Sequence, residues 1–176
     1  MTLTEAEEIH RTLLEKWRSA MNLVGPGDAW HHFEDAARAV TGLGACGVWA
    51  DLGSGAGFPG IALAARHADT SVILVESRER RVAFLKAVVH AASLGNVTIF
   101  HGRTEDVEPG FDGIISRAYR PPELYLEDAA RLLKPDGRAV LLSGETPPPF
   151  DGWRAISSDR YPLGSQSRVR TVLTLN

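Results

Sequence analysis

The chain has 176 residues, of which 44% are hydrophobic and 23% are charged, and its formal net charge at pH 7 is -3. This length and composition predict one globular domain with a substantial core, and the mild negative charge excludes a protein that is basic over its whole surface. The single cysteine, Cys46, excludes an internal disulfide framework and is typical of a reducing compartment.

The first residues give no sign of targeting to a membrane or out of the cell. Residues 1–8 have neither the basic region nor the apolar region of a signal peptide. No apolar run approaches the roughly 20 residues that a membrane span requires. We therefore expect a soluble, cytoplasmic protein that has no membrane partner, and we expect it to be a monomer.

Two helices are predicted before the first strand. Thr4 and Glu7 match the capping-box pattern, and apolar residues follow them at helical spacing. The glycines and proline at 25–27 interrupt that helix, and Asp28 is a good N-cap for a second one. Residues 1–45 are thus predicted to form an N-terminal helical extension.

From residue 46 to residue 176, short apolar runs alternate with helical patterns. The predicted parallel strands are Val48–Leu52, Val72–Val75, Val97–Phe100, Phe111–Ile115 and Arg138–Leu142, and residues 134–137 are predicted to form a turn before the last of them. Two short strands that could pair antiparallel follow near 153–157 and 170–175. This alternation predicts an α/β fold with a doubly wound, mostly parallel sheet and an antiparallel C-terminal strand, in one compact domain.

Polar and glycine-rich segments follow the first four predicted strands. In strand order they are Asp51 to Gly60, then Glu76, then Thr104 with Glu105, then Arg117. In doubly wound sheets the ligand binds beyond the carboxyl ends of the strands. We therefore expect these residues to surround one ligand-binding mouth.

The glycine loop itself allows two interpretations. Gly55, Gly57 and Gly60 match the dinucleotide pattern G-x-G-x-x-G, with Glu76 about 20 residues further on, which favours an NAD-dependent oxidoreductase. Asp51 argues against this interpretation, because a carboxylate at the strand end would repel a pyrophosphate. The same carboxylate would attract the cationic amino acid end of S-adenosyl-L-methionine (SAM), and Glu76 could accept both ribose hydroxyls. We therefore favour SAM as the ligand.

Several segments around this mouth share a family pattern. They are Asp51–Ile61, Glu76-Ser77, Arg80–Leu85, Arg103–Glu105 and Phe111–Ala118, with Trp17 and Asn22-Leu23 upstream. Together they resemble the small-subunit ribosomal RNA methyltransferase G family, also called glucose-inhibited division protein B. The letters F-P-G after the glycines and I-S-R-A after the fourth strand are the most specific part of the match.

The resemblance implies a Rossmann-like class I SAM-dependent methyltransferase that acts on N7 of a guanine in 16S ribosomal RNA, in the 30S subunit or its precursor. It implies SAM contacts at Gly53, Phe58, Thr104, Glu105 and Arg117. The chemistry of the mouth adds Asp51, Gly55 and Glu76 to these cofactor-binding residues.

Methyl transfer to guanine N7 makes few demands on side chains. The nitrogen has a lone pair and no proton, and the sulfonium of SAM already activates the methyl group, so we expect neither a general base nor a covalent nucleophile. We expect no metal either, because no third ligand is evident beside His31 and His32. Positioning can supply most of the effect, at best about 7–11 kcal/mol. Arg117 could take part in positioning by holding the SAM carboxylate or an RNA phosphate, since a guanidinium suits either anion.

The chain departs from the family pattern at two basic positions. It has His31 before His32, where the family usually has an arginine, and Ser143 before Gly144, where the family usually has a lysine. Both positions would suit RNA binding, so a SAM-dependent methyltransferase that acts on another RNA or on a small molecule stays open as an alternative. The NAD-dependent oxidoreductase is the third hypothesis.

Overall fold

The structure of the chain is a computed structural model that describes residues 2–21, 23–25 and 29–176, with only the backbone for residues 18–21. The proposed N-cap Asp28 lies outside these residues, and so does Asn22. The helices are α1 Glu5–Met21, α2 Trp30–Val40, α3 Gly60–Arg66, α4 Glu79–Ala91 and α5 Pro122–Leu132. The strands are β1 Gly47–Leu52, β2 Thr70–Glu76, β3 Val97–His101, β4 Phe111–Ser116, β5 Leu133–Ser143, β6 Trp153–Leu163 and β7 Gln166–Leu175.

The seven strands form one sheet in the order β3-β2-β1-β4-β5-β7-β6. The pairs among β1 to β5 are parallel, whereas β7 runs antiparallel to both of its neighbours. The predicted α/β class and the antiparallel C-terminal pairing are therefore confirmed. β1 lies between β2 and β4, so the strand order reverses at β1. A doubly wound sheet opens a crevice at this point.

The N-terminus of α1 has the predicted capping box. The Thr4 backbone N–H donates to Glu7 Oε2 at 2.7 Å, and the Glu7 N–H donates to Thr4 Oγ1 at 3.2 Å. Two of the otherwise unpaired N–H groups of the first turn are satisfied in this way.

The C-terminal strands are longer than predicted. β6 and β7 have 11 and 10 residues and form a hairpin whose turn lies at 164–165. Most side chains of β6 are exposed, with Tyr161 the buried exception, so this edge strand has no alternating apolar pattern that would indicate its length. Residues 134–137, predicted as a turn before the fifth strand, instead form a bulge within β5, where the register jumps from Phe111–Leu133 to Gly113–Arg138.

Helices cover both faces of the sheet. On one face, α1 to α4 bury Leu14, Phe33, Ile61 and Phe84 against Trp49 of the sheet, and on the other face α5 buries Leu126, Ala129 and Leu132 against Ala50 and Leu52. Successive residues of β1 thus face opposite layers, as the pleat of a strand requires. Gly113 of the neighbouring strand leaves room for the indole of Trp49, since a Cβ there would lie 2.3 Å from the ring. Among the described helices, none is long and apolar enough to cross a membrane.

Candidate active site

A cleft of about 490 Å³ opens at the carboxyl ends of β1 to β4, and we call it the first cleft. Each of the four strand ends contributes to its lining, which is formed by Gly53, residues 75–78 with Arg81, residues 102–105 and residues 118–120. The four loops that were expected to share one mouth therefore do so.

Glu76 fastens the glycine loop to the end of β2. Its Oε2 accepts a hydrogen bond from the Gly55 N–H at 2.9 Å, and its Oε1 accepts one from the Arg78 N–H at 2.8 Å. The Arg81 guanidinium lies 3.7 Å from Oε2. The carboxylate is thus held in place at the floor of the first cleft, and each oxygen keeps a lone pair for a further donor.

Asp51 is fully buried at the end of β1. Its Oδ2 accepts a hydrogen bond from the Gly60 N–H at 3.0 Å, whereas Oδ1 has no hydrogen-bond partner among the described residues. Burial, the largest influence, raises the pKa of this carboxyl to about 7. A buried acceptor without a partner costs about 1–3 kcal/mol, so Oδ1 is a place where a donor or a cation would be favoured.

Gly53 provides the contact between the glycine loop and the loop that follows β4. Its φ is +67°, in the left-handed region that favours glycine, and a Cβ at this position would lie 2.5 Å from the Tyr119 ring. The ring therefore packs directly against the backbone of the loop. The Tyr119 hydroxyl donates to Asp128 Oδ2 at 3.3 Å, which fixes the ring from its other end.

The glycine loop is supported from behind by His10 of α1. The Nε2–H of the buried ring donates to the Ala56 carbonyl at 2.7 Å, and the ring lies 4.8 Å from the Phe58 ring and 5.0 Å from the Phe33 ring between centroids. Burial lowers the pKa of His10 to about 4, so the ring is neutral near pH 7. His10 was not singled out from the sequence, although a histidine one turn before the apolar Leu14 on a buried helix face is a signal that could have found it.

Thr104 and Glu105 form the start of a short 3₁₀ turn, Thr104–Asp106, after β3. Thr104 is buried and its carbonyl accepts a hydrogen bond from Arg131 at 2.6 Å, whereas Glu105 is exposed and forms an ion pair with Arg120. Arg120 also lies 3.1 Å from Asp128 and stacks on the Tyr119 ring at 5.0 Å. This arginine, which was not singled out from the sequence, bridges the first cleft from the loop after β4 to the 3₁₀ turn.

Arg117 faces a second cavity of about 850 Å³ rather than the first cleft. Its Nη1 lies 3.4 Å from Asp35 Oδ2 and 3.3 Å from His32 Nδ1, and its guanidinium carbon lies 4.8 Å from the centre of the Phe58 ring. The second cavity is bounded by α2, the loop after β4, the end of β5 and the turn between β6 and β7.

The two cavities share the wall formed by residues 118–120. Ala118, which lies between Arg117 and Tyr119 in the sequence, has a φ of 55°. This left-handed conformation costs a non-glycine residue roughly 1–2 kcal/mol. On either side of this residue, Arg117 lines only the second cavity, whereas Tyr119 lines both.

The predicted site residues thus occupy three places. Gly53, Glu76, Thr104 and Glu105 line the first cleft. Asp51, Gly55 and Phe58 are buried in and behind the glycine loop. Arg117 lines the second cavity, and so do His31 and Ser143, the two positions that depart from the family pattern. Within the described residues there is no group of three side chains that could hold a metal ion.

The sheet order distinguishes the two interpretations of the glycine loop. Dinucleotide-binding folds have the order 3-2-1-4-5-6, whereas here the antiparallel β7 is inserted between β5 and β6. With the acidic residues Asp51 and Glu76 at the ends of β1 and β2, this fold defines a class I SAM-dependent methyltransferase, and SAM is its cofactor. The NAD-dependent oxidoreductase is therefore excluded.

The particular family follows from comparison with known proteins. The model of the family "rRNA small subunit methyltransferase G" matches residues 4–149, so the chain belongs to this family. Ribosomal RNA small subunit methyltransferase G of Cereibacter sphaeroides is 37% identical over 154 residues, which cover 81% of this chain and 73% of the relative. The protein of the same name from Vibrio cholerae is 36% identical over 143 residues, 77% of this chain and 67% of the relative.

A third relative of that name, from Novosphingobium aromaticivorans, is 37% identical over 131 residues, 70% of this chain and 57% of its own length. The chain therefore spans between 57% and 73% of the length of these three relatives.

Solved structures share the fold at low sequence identity. M. jannaschii TYW2 in complex with AdoMet superposes with a TM-score of 0.64 at 16% identity, over 83% of this chain and 77% of that one. The mitomycin 7-O-methyltransferase MmcR superposes with a TM-score of 0.68 at 15% identity, over 98% of this chain and 61% of that one.

Proposed function

We propose that this chain transfers the methyl group of SAM to N7 of a guanine in 16S ribosomal RNA, in the cytoplasm and as a monomer that acts on the 30S subunit or its precursor. The observation that carries the proposal is the pair of cavities that meet at residues 118–120. One is lined by the carboxylate of Glu76, with the carboxyl of Asp51 buried behind the adjoining glycine loop, and acidic groups suit a cationic cofactor. The other is lined by arginines, which suit RNA. The names of the relatives support the ribosomal substrate.

The buried carboxyl of Asp51 fits the cofactor. Its orphaned Oδ1 lies beside the glycine loop, where the ammonium group of SAM would supply the missing donor. Binding of that cation would favour the charged carboxylate and offset the cost of its burial. We infer that Asp51 holds the amino acid end of SAM.

The other residues of the first cleft suit the nucleoside end. We infer that Glu76 accepts the ribose hydroxyls through its remaining lone pairs, and that Thr104 and Glu105 frame the adenine. Gly53 and Gly55 keep the loop free of side chains, and Phe58 holds its shape from behind.

Arg117 does not line the first cleft, so its position favours a cofactor contact less than the positions of the other predicted residues do. A SAM contact at Arg117 stays a prediction, whereas its place on the wall of the second cavity supports the other predicted role, the holding of an RNA phosphate.

SAM supplies an activated methyl group, and guanine N7 supplies a lone pair, so the protein has no proton to remove. Its residues instead bind the two reactants, fix their relative orientation and limit the access of water. Positioning of this kind requires a fixed geometry where the two cavities meet, so that N7 can contact the methyl group in line with the bond to sulfur. Residues 118–120 at that place are held by the Tyr119–Asp128 hydrogen bond and by the ion pairs of Arg120 with Glu105 and Asp128.

The proposal is tested by quantifying 7-methylguanosine in 16S RNA from cells that have or lack the gene. The purified protein is then incubated with SAM and with either free 16S RNA or 30S subunits from the deletion strain. We expect the modification to be absent from the deletion strain and restored in vitro. Unchanged 7-methylguanosine in the deletion strain would overturn the ribosomal assignment.

The same experiment addresses the second candidate, methylation of another RNA or of a small molecule, which is favoured by His31 and Ser143 at positions where the family usually has an arginine and a lysine. Incorporation of labelled methyl groups into total RNA or into the small-molecule fraction, with 16S RNA unlabelled, would support it.

A further inference from the structure

Asp35 of α2 is the centre of a polar cluster that joins four parts of the fold. The residue is 1% exposed. Its Oδ1 accepts a hydrogen bond from the Tyr161 hydroxyl of β6 at 2.8 Å and lies 3.5 Å from Arg168 Nε of β7. Its Oδ2 lies 3.4 Å from Arg117 Nη1, at the end of β4. One carboxylate of the N-terminal extension thus contacts two guanidinium groups from distant parts of the sequence.

The cluster gives the second cavity a positive character although the whole chain carries a net charge of -3. Among the described residues that line the cavity, Arg117, Arg120 and Arg168 are cationic and Asp35 is the single carboxylate. Arg120 is already engaged by Glu105 and Asp128 at the shared wall. Arg117 and Arg168 therefore share one carboxylate, and the cluster of three side chains keeps one positive charge.

The geometry of the two guanidiniums depends on Asp35. Arg117 is mostly buried, with 17% of its side chain exposed, and Arg168 has 31% exposed. Two partly buried cations in one cluster repel each other and are held together when they share a carboxylate. Guanidinium groups present planar sets of N–H donors that match the oxygens of a phosphate.

We propose that Asp35 is a positioning residue for RNA binding, which holds Arg117 and Arg168 together on the wall of the second cavity, where they bind one phosphate of the ribosomal RNA backbone. The inference rests on the proposed function, because it takes RNA as the substrate. It adds a residue of the N-terminal extension, and Arg168 of the last strand, to the substrate site.

The test compares Asp35→Asn with the wild-type protein in binding to unmodified 16S RNA and in binding to SAM. Removal of a negative charge would by itself strengthen the binding of a polyanion. A positioning role predicts the opposite result, a Kd for RNA that rises on the order of tenfold or more, with the Kd for SAM unchanged. Arg168→Gln should also weaken RNA binding and should lower the slope of log K against log salt by about 0.7, whereas Asp35→Asn keeps both arginines and should keep the slope.

Two controls separate positioning from a loss of stability. Glu34→Gln removes the neighbouring acid, whose partner is Arg38 in an i,i+4 pair. It should leave the Kd for SAM unchanged and should leave RNA binding equal or slightly tighter, because it removes the same charge without touching the cluster. Tyr161→Phe removes a hydrogen bond to the same carboxylate without changing charge. If Asp35→Asn weakens RNA binding only by destabilising the fold, Tyr161→Phe should weaken it equally when the two variants have the same unfolding midpoint.

The double variant Asp35→Asn/Arg168→Gln completes the test. If Asp35 acts through the two arginines, the double variant should lose less RNA affinity than the sum of the two single losses, because only the contact with Arg117 is left for Asp35→Asn to disturb. Unchanged or tighter RNA binding by Asp35→Asn, or additive effects in the double variant, would overturn the positioning role. Failure of the wild-type protein itself to bind or methylate 16S RNA would overturn the proposed function together with this inference, so the two failures are distinguishable.

Discussion

At the scale of single residues, Gly53 is where the glycine loop tolerates change least. Its φ of +67° and the Tyr119 ring 2.5 Å from a Cβ leave no room for a side chain. We expect Gly53→Ala to weaken SAM binding and Gly53→Asp to abolish it, because the aspartate adds bulk and a further negative charge. Isothermal titration calorimetry with SAM measures the effect.

The matched control for that substitution is Gly95→Ala, since a Cβ at Gly95 meets no atom within 4 Å. This variant should bind SAM as the wild type does. Undiminished affinity in Gly53→Asp would show that the loop does not contact the cofactor.

Two buried titratable groups near the same loop respond to pH in opposite directions. The native pKa of His10, about 4, lies below its ordinary 6.5, so the unfolded chain binds the extra proton and stability is lost as pH falls from 6.5 towards 4. The native pKa of Asp51, about 7, lies above its ordinary 3.8, so the native state binds the extra proton and stability is lost as pH rises from about 4 to 7. Between pH 4 and 6.5 the two contributions largely cancel.

Single substitutions should make each contribution visible. In Asp51→Asn the free energy of unfolding should rise with pH between 4 and 6.5, by roughly 3 kcal/mol from the His10 contribution. In His10→Gln it should fall over the same range. Urea denaturation at pH 4.5, 5.5 and 6.5 measures both slopes, and parallel slopes in the two variants would contradict the opposed shifts.

The residues that surround the ligand sites differ in how readily the sequence predicts them. The acids and glycines of the first cleft could be found because each follows an apolar strand run directly. Asp35 and Arg168 could not, because their roles depend on contacts with residues far away in the chain, and Asp35 and its partner Tyr161 are 126 residues apart.

At the scale of elements, the parallel strands were predictable because both of their faces are covered, which gives continuous apolar runs. β6 was underestimated because its side chains are exposed and its hydrogen bonds to β7, rather than its own pattern, define it as a strand. The sequence predicts a turn at 134–137 because proline and glycine are typical turn residues. Local sequence does not show that the chain pairs with β4 both before and after these residues, which makes the segment a bulge.

Two elements that line the second cavity offer a gain-of-function experiment. His31 of α2 and Ser143 at the end of β5 stand where the family usually has an arginine and a lysine. We expect His31→Arg/Ser143→Lys to lower the Kd for 16S RNA and to steepen the salt dependence, by about 0.7 in slope for each new phosphate contact. Filter binding between 50 and 200 mM salt, roughly the range over which such contacts weaken, measures it.

The matched control compares the single variants Ser143→Lys and Ser93→Lys, which add the same charge, since Ser93 is exposed and lines neither cavity. Equal tightening by Ser93→Lys would show that overall charge, and not the place of the charge, determines RNA affinity.

At the scale of the whole molecule, the N-terminal helices are integrated with the sheet. Glu7 of α1 is buried and its carboxylate makes two bonds to Arg66 of α3, at 2.9 and 2.7 Å, while His10 supports the glycine loop and Leu14 enters the core. The sequence pattern predicts an extension ahead of the core, but it does not predict these contacts. They join residues that precede the first strand in the sequence to residues that follow it.

We therefore expect a fragment of residues 46–176 to lose cooperative unfolding and SAM binding together. Truncation would expose the apolar face that α1 and α2 cover and would leave the Ala56 carbonyl without its donor. Thermal unfolding followed by near-ultraviolet circular dichroism, with SAM titration, measures the outcome. A fragment that unfolds cooperatively and binds SAM would show that the extension is dispensable.

The wall of residues 118–120 has a practical consequence for inhibition. Because it separates the two cavities by only three residues, one molecule could place an adenosine-like group in the first cleft and a phosphate-bearing group in the second with a short linker. Tethering would make the second binding event intramolecular, at an effective concentration on the order of millimolar. A bisubstrate compound of this kind would draw selectivity from Arg117 and Arg168, which an inhibitor confined to the cofactor cleft does not reach.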